Sequence, residues 1–186
     1  MRIAYVLFDD FTLLDFAGLY DPLSRLRKLE YVTDLEWDIC ALEDTVSDAY
    51  GLKIRPDYRG IDLGNYDILV VPGGRGTRTH LEDAVFLAWL QTASRVPIKL
   101  AVCTGSLLLG AAGLLQGKNA TTDRAEYDRL REYGANVVDD RIVDDKGVIS
   151  SGAVAASIDL GLYLCEKLAG KEAREAVRKS MNYHPV

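Results

Sequence analysis

Three short runs, Ile3–Phe8, Ile68–Val71 and Ile98–Val102, are apolar along nearly their whole length instead of alternating with polar residues. A strand reads this way when both its faces are covered, which is the condition of a parallel sheet held between two layers of helices. Between the runs lie stretches with apolar residues at helical spacing. Leu13–Leu29 is one, Asp83–Ser94 is a second through Phe86, Trp89, Leu90 and Ala93, and Gly105–Leu115 is almost wholly apolar. The alternation predicts an α/β chain: a three-layer sandwich around a mostly parallel, doubly wound sheet of the flavodoxin-like kind. Leu35–Leu42 alternates as a half-buried strand does. Val46–Ser47 and Leu52–Ile54 bracket Asp48–Gly51 as a hairpin. Asp123–Tyr133 reads as a charged helix with Asp123 as its N-cap. Val137–Val138, Arg141–Val143 and Val148–Ser150 read as short strands, and Ser157–Leu168 and Lys171–Met181 as helices. Asp21-Pro22 has the form of a cap followed by a first-turn proline, which predicts a kink or restart inside the first helix.

No repeat, low-complexity tract or linker divides the 186 residues, so residues 1–186 are expected to form a single domain. A chain of this length buries about 70% of the surface its unfolded form exposes and needs no disulfide to hold a core. The 22 basic residues against 28 acidic ones give a net charge of −6, which repels a phosphate backbone and argues against nucleic-acid binding. No apolar run approaches the ~20 residues of a membrane span. Met1 opens directly onto Arg2–Phe8 with no secretory leader in view. The cysteines, at 40, 103 and 165, are odd in number and far apart, which suits neither a disulfide framework nor a metal cluster. A reducing cytoplasm is the expected setting.

The segment Ala101-Val102-Cys103-Thr104-Gly105-Ser106 places a cysteine between a buried strand and a helix that starts at once. A nucleophile on such a tight turn is lifted out of the sheet and exposed at its top. The N-terminus of the following helix is expected to lower the thiol pKa through its N–H groups and dipole. A buried structural cysteine is the other reading of Cys103. Cys40 and Cys165, on a strand and on an apolar helix face, read as core residues. Pro72-Gly73-Gly74 closes the neighbouring strand, where glycine lets backbone approach a ligand closely. With the N–H of Thr104 these glycines form a candidate anion-binding pair; alone, the tripeptide is a turn. Asp15 is a carboxylate within Leu13-Leu14-Asp15-Phe16-Ala17-Gly18. Burial and a neighbouring thiolate would raise its pKa and suit it to proton transfer, unless it merely favours the dipole of the first helical turn. His80 and His184 are the only histidines, and both read as surface residues. A Cys–His hydrolase, which needs a base within reach of the sulfur, is disfavoured.

Taken together, Pro72-Gly73-Gly74, the Cys103 segment, and Gly113-Leu114-Leu115-Gln116-Gly117-Lys118 with Ala120-Thr121-Thr122 resemble the ThiJ/PfpI superfamily, a class I glutamine amidotransferase-like fold. Val102-Cys103-Thr104-Gly105-Ser106 and Leu14-Asp15-Phe16-Ala17-Gly18 are similar to its isocyanide hydratase branch, which is related to the ligand domains of AraC-type regulators. The likeness runs from about Met1 to Leu168. It implies Cys103 as nucleophile, Asp15 as its acid/base neighbour, Gly73, Gly74 and Thr104 as pocket donors, and Gly152 in a late glycine turn. It also implies a small-molecule substrate, a homodimer, and no metal or organic cofactor. Two segments depart from the pattern: Asp123-Arg124 stands where relatives carry His-Trp, and Gly152-Ala153-Val154-Ala155-Ala156 has less glycine. The resemblance implies addition of water to an isocyanide through a thioimidate. Its neighbouring branches suggest two alternatives: a redox or stress-response protein with an oxidisable cysteine, and a ligand-sensing module.

Overall fold

The computed structural model of the protein describes residues 1–184; the last two positions of the expected single domain lie outside it. In chain order the first half comprises β1 (Arg2–Val6), α1 (Leu13–Lys28), β2 (Glu36–Ala41), β3 (Val46–Ser47), β4 (Lys53–Ile54), β5 (Tyr58–Arg59) and β6 (Ile68–Val71). The second half comprises α2 (Thr77–His80), α3 (Ala84–Gln91), β7 (Ile98–Val102), α4 (Gly105–Ala111), β8 (Asn119–Ala120), α5 (Tyr127–Glu132), β9 (Asn136–Val137), β10 (Ile142–Asp145), β11 (Val148–Ser151) and α6 (Ala156–Ser180).

Seven strands form one sheet in the order β10-β11-β7-β6-β1-β2-β5. Every neighbouring pair is parallel except β10 with β11, which is antiparallel. The sheet is therefore the mostly parallel one that the apolar runs predict. Ile3–Val6 and Ile68–Val71, at its centre, have no exposed surface, as strands covered on both faces should. From β1 the chain moves outward to β2 and β5, then returns to lay β6 on the opposite side of β1 and continues through β7 to β11. The direction of travel reverses between β1 and β6. Right-handed crossovers then place the helix after β1 and the helices after β6 and β7 on opposite faces. Accordingly α1 packs on α6, while α4 packs against α2, α3 and α5.

The hairpin around Asp48–Gly51 is present as β3 and β4. The side chain of Asp48 fixes its turn by accepting from the N–H groups of Tyr50 (2.9 Å) and Leu52 (2.8 Å). The two helices expected after Ser157 meet at Gly170, whose φ of 88° and ψ of 172° interrupt α6. Three expectations need correction. The first helix does not restart at Pro22 but runs as one element from Leu13 to Lys28 with the proline inside it. Pro22 is buried against α6, and the Gly18 carbonyl that an N–H at position 22 would have met lies against Gly161, where a Cβ would stand 2.7 Å from it. Helix α4 stops at Ala111, short of Leu115, although Leu115 stays buried in the loop that follows. Asp123 does cap, accepting from the Ala125 N–H at 3.1 Å, but it caps a single 3-10 turn ahead of α5.

Candidate active site

Cys103 follows β7 directly, and its φ of 53° puts a non-glycine residue in the left-handed region. Such a conformation costs about 1–3 kcal/mol and persists only where the surroundings over-determine it. Here four hydrogen bonds do so. The Cys103 N–H donates to the carbonyls of Ser151 (3.1 Å) and Gly152 (3.3 Å). Its carbonyl accepts from the buried Thr122 hydroxyl at 2.7 Å and from the Ser106 N–H at 3.3 Å. The strand end, the late glycine turn and the Thr121-Thr122 segment thus converge on one peptide unit.

Asp15 lies in the first turn of α1 with no exposed surface. One carboxyl oxygen accepts from the Gly73 N–H at 2.9 Å; the other is buried and has no hydrogen-bond partner. Since α1 follows β1 and Gly73 follows β6, this contact spans the crevice where the chain reverses direction. Ligands of doubly wound sheets bind at that point. Burial pushes the Asp15 carboxyl up to about 7, against the pull of the Gly73 N–H. Position 73 has to be glycine because a Cβ there would sit 2.7 Å from the Thr104 nitrogen and 3.0 Å from the Asp15 oxygen. Asp15, Gly73 and Thr104 therefore meet at one place.

The thiol departs from expectation. Burial, and next the charge of Asp15, push Cys103 up to about 12, with Asp123 adding in the same direction. The backbone N–H and the hydroxyl of Thr104 oppose the rise without overcoming it. The lowering expected from the helix terminus is outweighed because α4 has only seven residues and the sulfur is desolvated, Cys103 being 7% exposed. At rest the sulfur holds its proton and Asp15 is the group that titrates near neutrality.

The donors are also arranged differently from a simple pair of free amides. The Gly74 N–H points at the Thr104 hydroxyl oxygen at 3.1 Å. The Thr77 hydroxyl lies 2.7 Å from the Gly74 carbonyl and 3.2 Å from the Thr104 hydroxyl. Gly74 and Thr77 thus orient Thr104, whose backbone N–H and hydroxyl both favour the charged form of the sulfur. Thr77, buried, was not singled out in the sequence, and Thr122, also buried, entered only within the Ala120-Thr121-Thr122 motif and with no role of its own.

His80 is a core residue, 8% exposed, and corrects the reading that placed it on the surface. Its ring stacks on Phe86 at 4.2 Å and meets the edge of Phe8 at 5.2 Å. His184 is exposed as expected. Among the described residues no hydrogen bond or ion pair joins either histidine to Cys103. Cys40 and Cys165 are fully buried in the core. A hollow of about 600 Å³, lined in part by Leu14, Ala17, Tyr50, Arg75 and Val154, opens beside the Asp15 helix. A second, of about 370 Å³, takes in Thr122, Asp123, Arg124, Gly152 and Ala153. Both segments that depart from the expected pattern therefore line hollows next to the site. In the second, Arg124 is drawn to Asp139 at 2.9 Å.

The sequence pattern of the DJ-1/PfpI family matches residues 1–167. The chain belongs to the DJ-1/PfpI family. It is 36% identical over 187 residues to the isonitrile hydratase of Pseudomonas putida, a match covering 100% of this chain and 80% of that protein. It is 28% identical to the HTH-type transcriptional regulator GbdR of Pseudomonas aeruginosa, covering 99% of this chain but only 51% of the regulator. Among solved structures, a ThiJ/PfpI family protein from Pseudomonas syringae superposes with a TM-score of 0.89 at 30% identity, covering 100% of this chain and 76% of that one. Among the described residues of this DJ-1/PfpI protein, no helix is long and apolar enough to cross a membrane.

Proposed function

We propose that this DJ-1/PfpI protein adds water to an isocyanide to give an N-formamide, with Cys103 as nucleophile and Asp15 as acid and base. The observation that carries the reading is the buried Asp15 carboxyl, with one oxygen anchored on Gly73 and the other unpartnered, coupled to a protonated thiol with no histidine joined to it. The relation to an isonitrile hydratase supports the choice of substrate.

The pair works by sharing one proton. The Asp15 carboxylate takes the proton from the Cys103 sulfur, and in becoming neutral it removes the charge that opposed thiolate. The thiolate forms a bond to the terminal carbon of the isocyanide, and Asp15 returns the proton to that carbon, leaving a thioimidate. Asp15, again ionised, takes a proton from water as the oxygen bonds to the same carbon, then passes that proton to nitrogen. Loss of the hydroxyl proton through Asp15 to the departing sulfur breaks the carbon–sulfur bond, releases the N-formamide and restores the thiol. The backbone N–H and hydroxyl of Thr104 steady the sulfur's charge whenever it is anionic.

The oxidisable-cysteine alternative asks for a thiolate at rest, and burial together with Asp15 acts against one. The reading includes a small-molecule substrate, a cytoplasmic setting and a homodimer. In support of the last, Leu14, Tyr50 and Val154 are exposed around the larger hollow and offer an apolar surface for a second copy. The test is turnover of an aryl isocyanide to its N-formamide by the wild type, Cys103→Ala and Asp15→Asn. Turnover lost in Cys103→Ala and reduced about 10²–10⁴-fold in Asp15→Asn is expected. No wild-type turnover across several isocyanides would overturn the reading.

A further inference from the structure

At the end of β7 remote from Cys103, a buried cation lacks a counter-charge. Lys99 is 9% exposed, and its ammonium donates to the Val96 carbonyl at 2.5 Å. It lines a cavity of about 400 Å³ together with Lys118, Lys146, Ser94 and Gln116. Lys99 and Cys103 are four positions apart along the strand, roughly 13 Å, so this cavity is distinct from the site above.

No carboxylate lines the cavity, and among the described residues none of its three lysines takes part in an ion pair. Three cations without an ion-pair partner thus face one cavity on a chain of net charge −6. The acid next in sequence, Asp145, has one oxygen held by the Asn119 N–H at 2.8 Å, and Asp144 is paired with Lys167. Buried charges in proteins are ordinarily paired. Burial, and then the charge of Lys118, hold the Lys99 ammonium below its ordinary pKa, as expected where like charges converge without an anion.

The walls are well fixed. Asp145 pairs with Val148 across β10 and β11, so Lys146-Gly147 is a two-residue turn. Both residues have positive φ, 49° and 87°, the signature of a tight hairpin turn. The Gly147 carbonyl accepts from the Lys99 N–H at 2.7 Å, which pins the turn to the start of β7. The rim position of Lys146 is thereby set by backbone.

We propose that this cavity binds a phosphate group, with the three ammonium groups as its charge partners and Ser94 and Gln116 as neutral hydrogen-bonding groups. The volume leaves room for a small organic residue, so the group can arrive as inorganic phosphate or as a phosphate monoester.

The experiment titrates the full chain with inorganic phosphate and, separately, with glycerol phosphate, at constant ionic strength maintained with potassium chloride. Amide NMR shifts are followed at Lys99, Gly147 and Val148. A saturable shift with either probe is expected, unchanged in Cys103→Ala and weakened at least tenfold in the Lys118→Ala/Lys146→Ala double variant. Those two lysines are half-buried and exposed, so the double variant is preferred to one at Lys99, whose burial makes it a folding residue. Tighter binding of the monoester identifies an organic phosphate as the ligand; equal binding identifies the phosphate alone. No saturation with either probe, or equal saturation in the double variant, overturns the proposal.

Discussion

Replacing Asp15 by asparagine is expected to stabilise the protein increasingly as pH rises. The folded carboxyl keeps its proton up to about 7, whereas its ordinary value is 3.8. Its folded-state pKa is raised, so the protonated form is favoured by folding and the ionised form is penalised. Stability is highest at low pH and falls as pH climbs from 3.8 towards 7, by about 1.4 kcal/mol per pH unit. Over that whole window the loss is about 4 kcal/mol; between pH 5 and pH 8 it is about 2.7 kcal/mol, since the slope ends near 7. Asparagine keeps the oxygen that accepts from Gly73 and places an NH₂ where the unpartnered oxygen stands, a cost that does not depend on pH. Urea unfolding of wild type and Asp15→Asn at pH 5 and pH 8 should therefore show the difference moving by about 2–3 kcal/mol in favour of asparagine. A difference that stays constant between the two pH values would refute the reasoning. It would mean that Asp15 does not titrate near neutrality, and the proton-sharing mechanism would fall with it.

The same titration should govern catalysis. kcat/KM for an isocyanide is expected to rise through an apparent pKa of about 7 and stay level through pH 9, because the thiol holds its own proton to about 12; a profile set by an ionisation near 9 would contradict the assignment. Gly73→Ala forces a methyl to within 2.7 Å of the Thr104 nitrogen. Turnover should drop at least 10²-fold while the fold persists by circular dichroism, and near-normal turnover would show that this close approach is dispensable. Thr122→Val removes the 2.7 Å bond to the Cys103 carbonyl and leaves that group buried without its hydroxyl partner. A stability loss of about 1–3 kcal/mol in denaturant is expected, with a lower kcat.

The strands that matter were legible because burial on both faces leaves an unmistakable trace. Ile68–Val71 and Ile98–Val102 are bounded in the structure as they are in the sequence, the first by Pro72 and the second by the turn at Cys103. The hairpin at Asp48–Gly51 was legible because its aspartate and glycine specify a turn locally. Strands β5 and β8 and helix α2 were missed; at two, two and four residues they are too short to carry a period. His80 was misread for a different reason. Arg78, Thr79, Glu82 and Asp83 around it are polar, while the rings that bury it come from Phe8, just past β1, and from Phe86 in the helix that follows. The thiol's pKa misled in the same way. A local argument from the helix terminus gave one sign, and burial with Asp15, which is 88 positions distant in sequence, gave the other. Thr77 and Thr122 show their value only through the backbone groups they hold, on peptides that no sequence pattern places beside them.

The backbone clamp on Cys103 has a consequence for the order in which the working protein comes into being. Every acceptor for the Cys103 N–H, on Ser151 and Gly152, belongs to the end of the last strand laid into the sheet. A nascent chain that has emerged only through α4 already contains Asp15, Gly73, Cys103 and Thr104, yet of the four hydrogen bonds that hold the cysteine peptide it has only the one from the Ser106 N–H. The Thr122 anchor and then the two at the end of β11 complete the clamp, so a chain cut short before β11 is expected to lack the fixed cysteine turn and, with it, turnover.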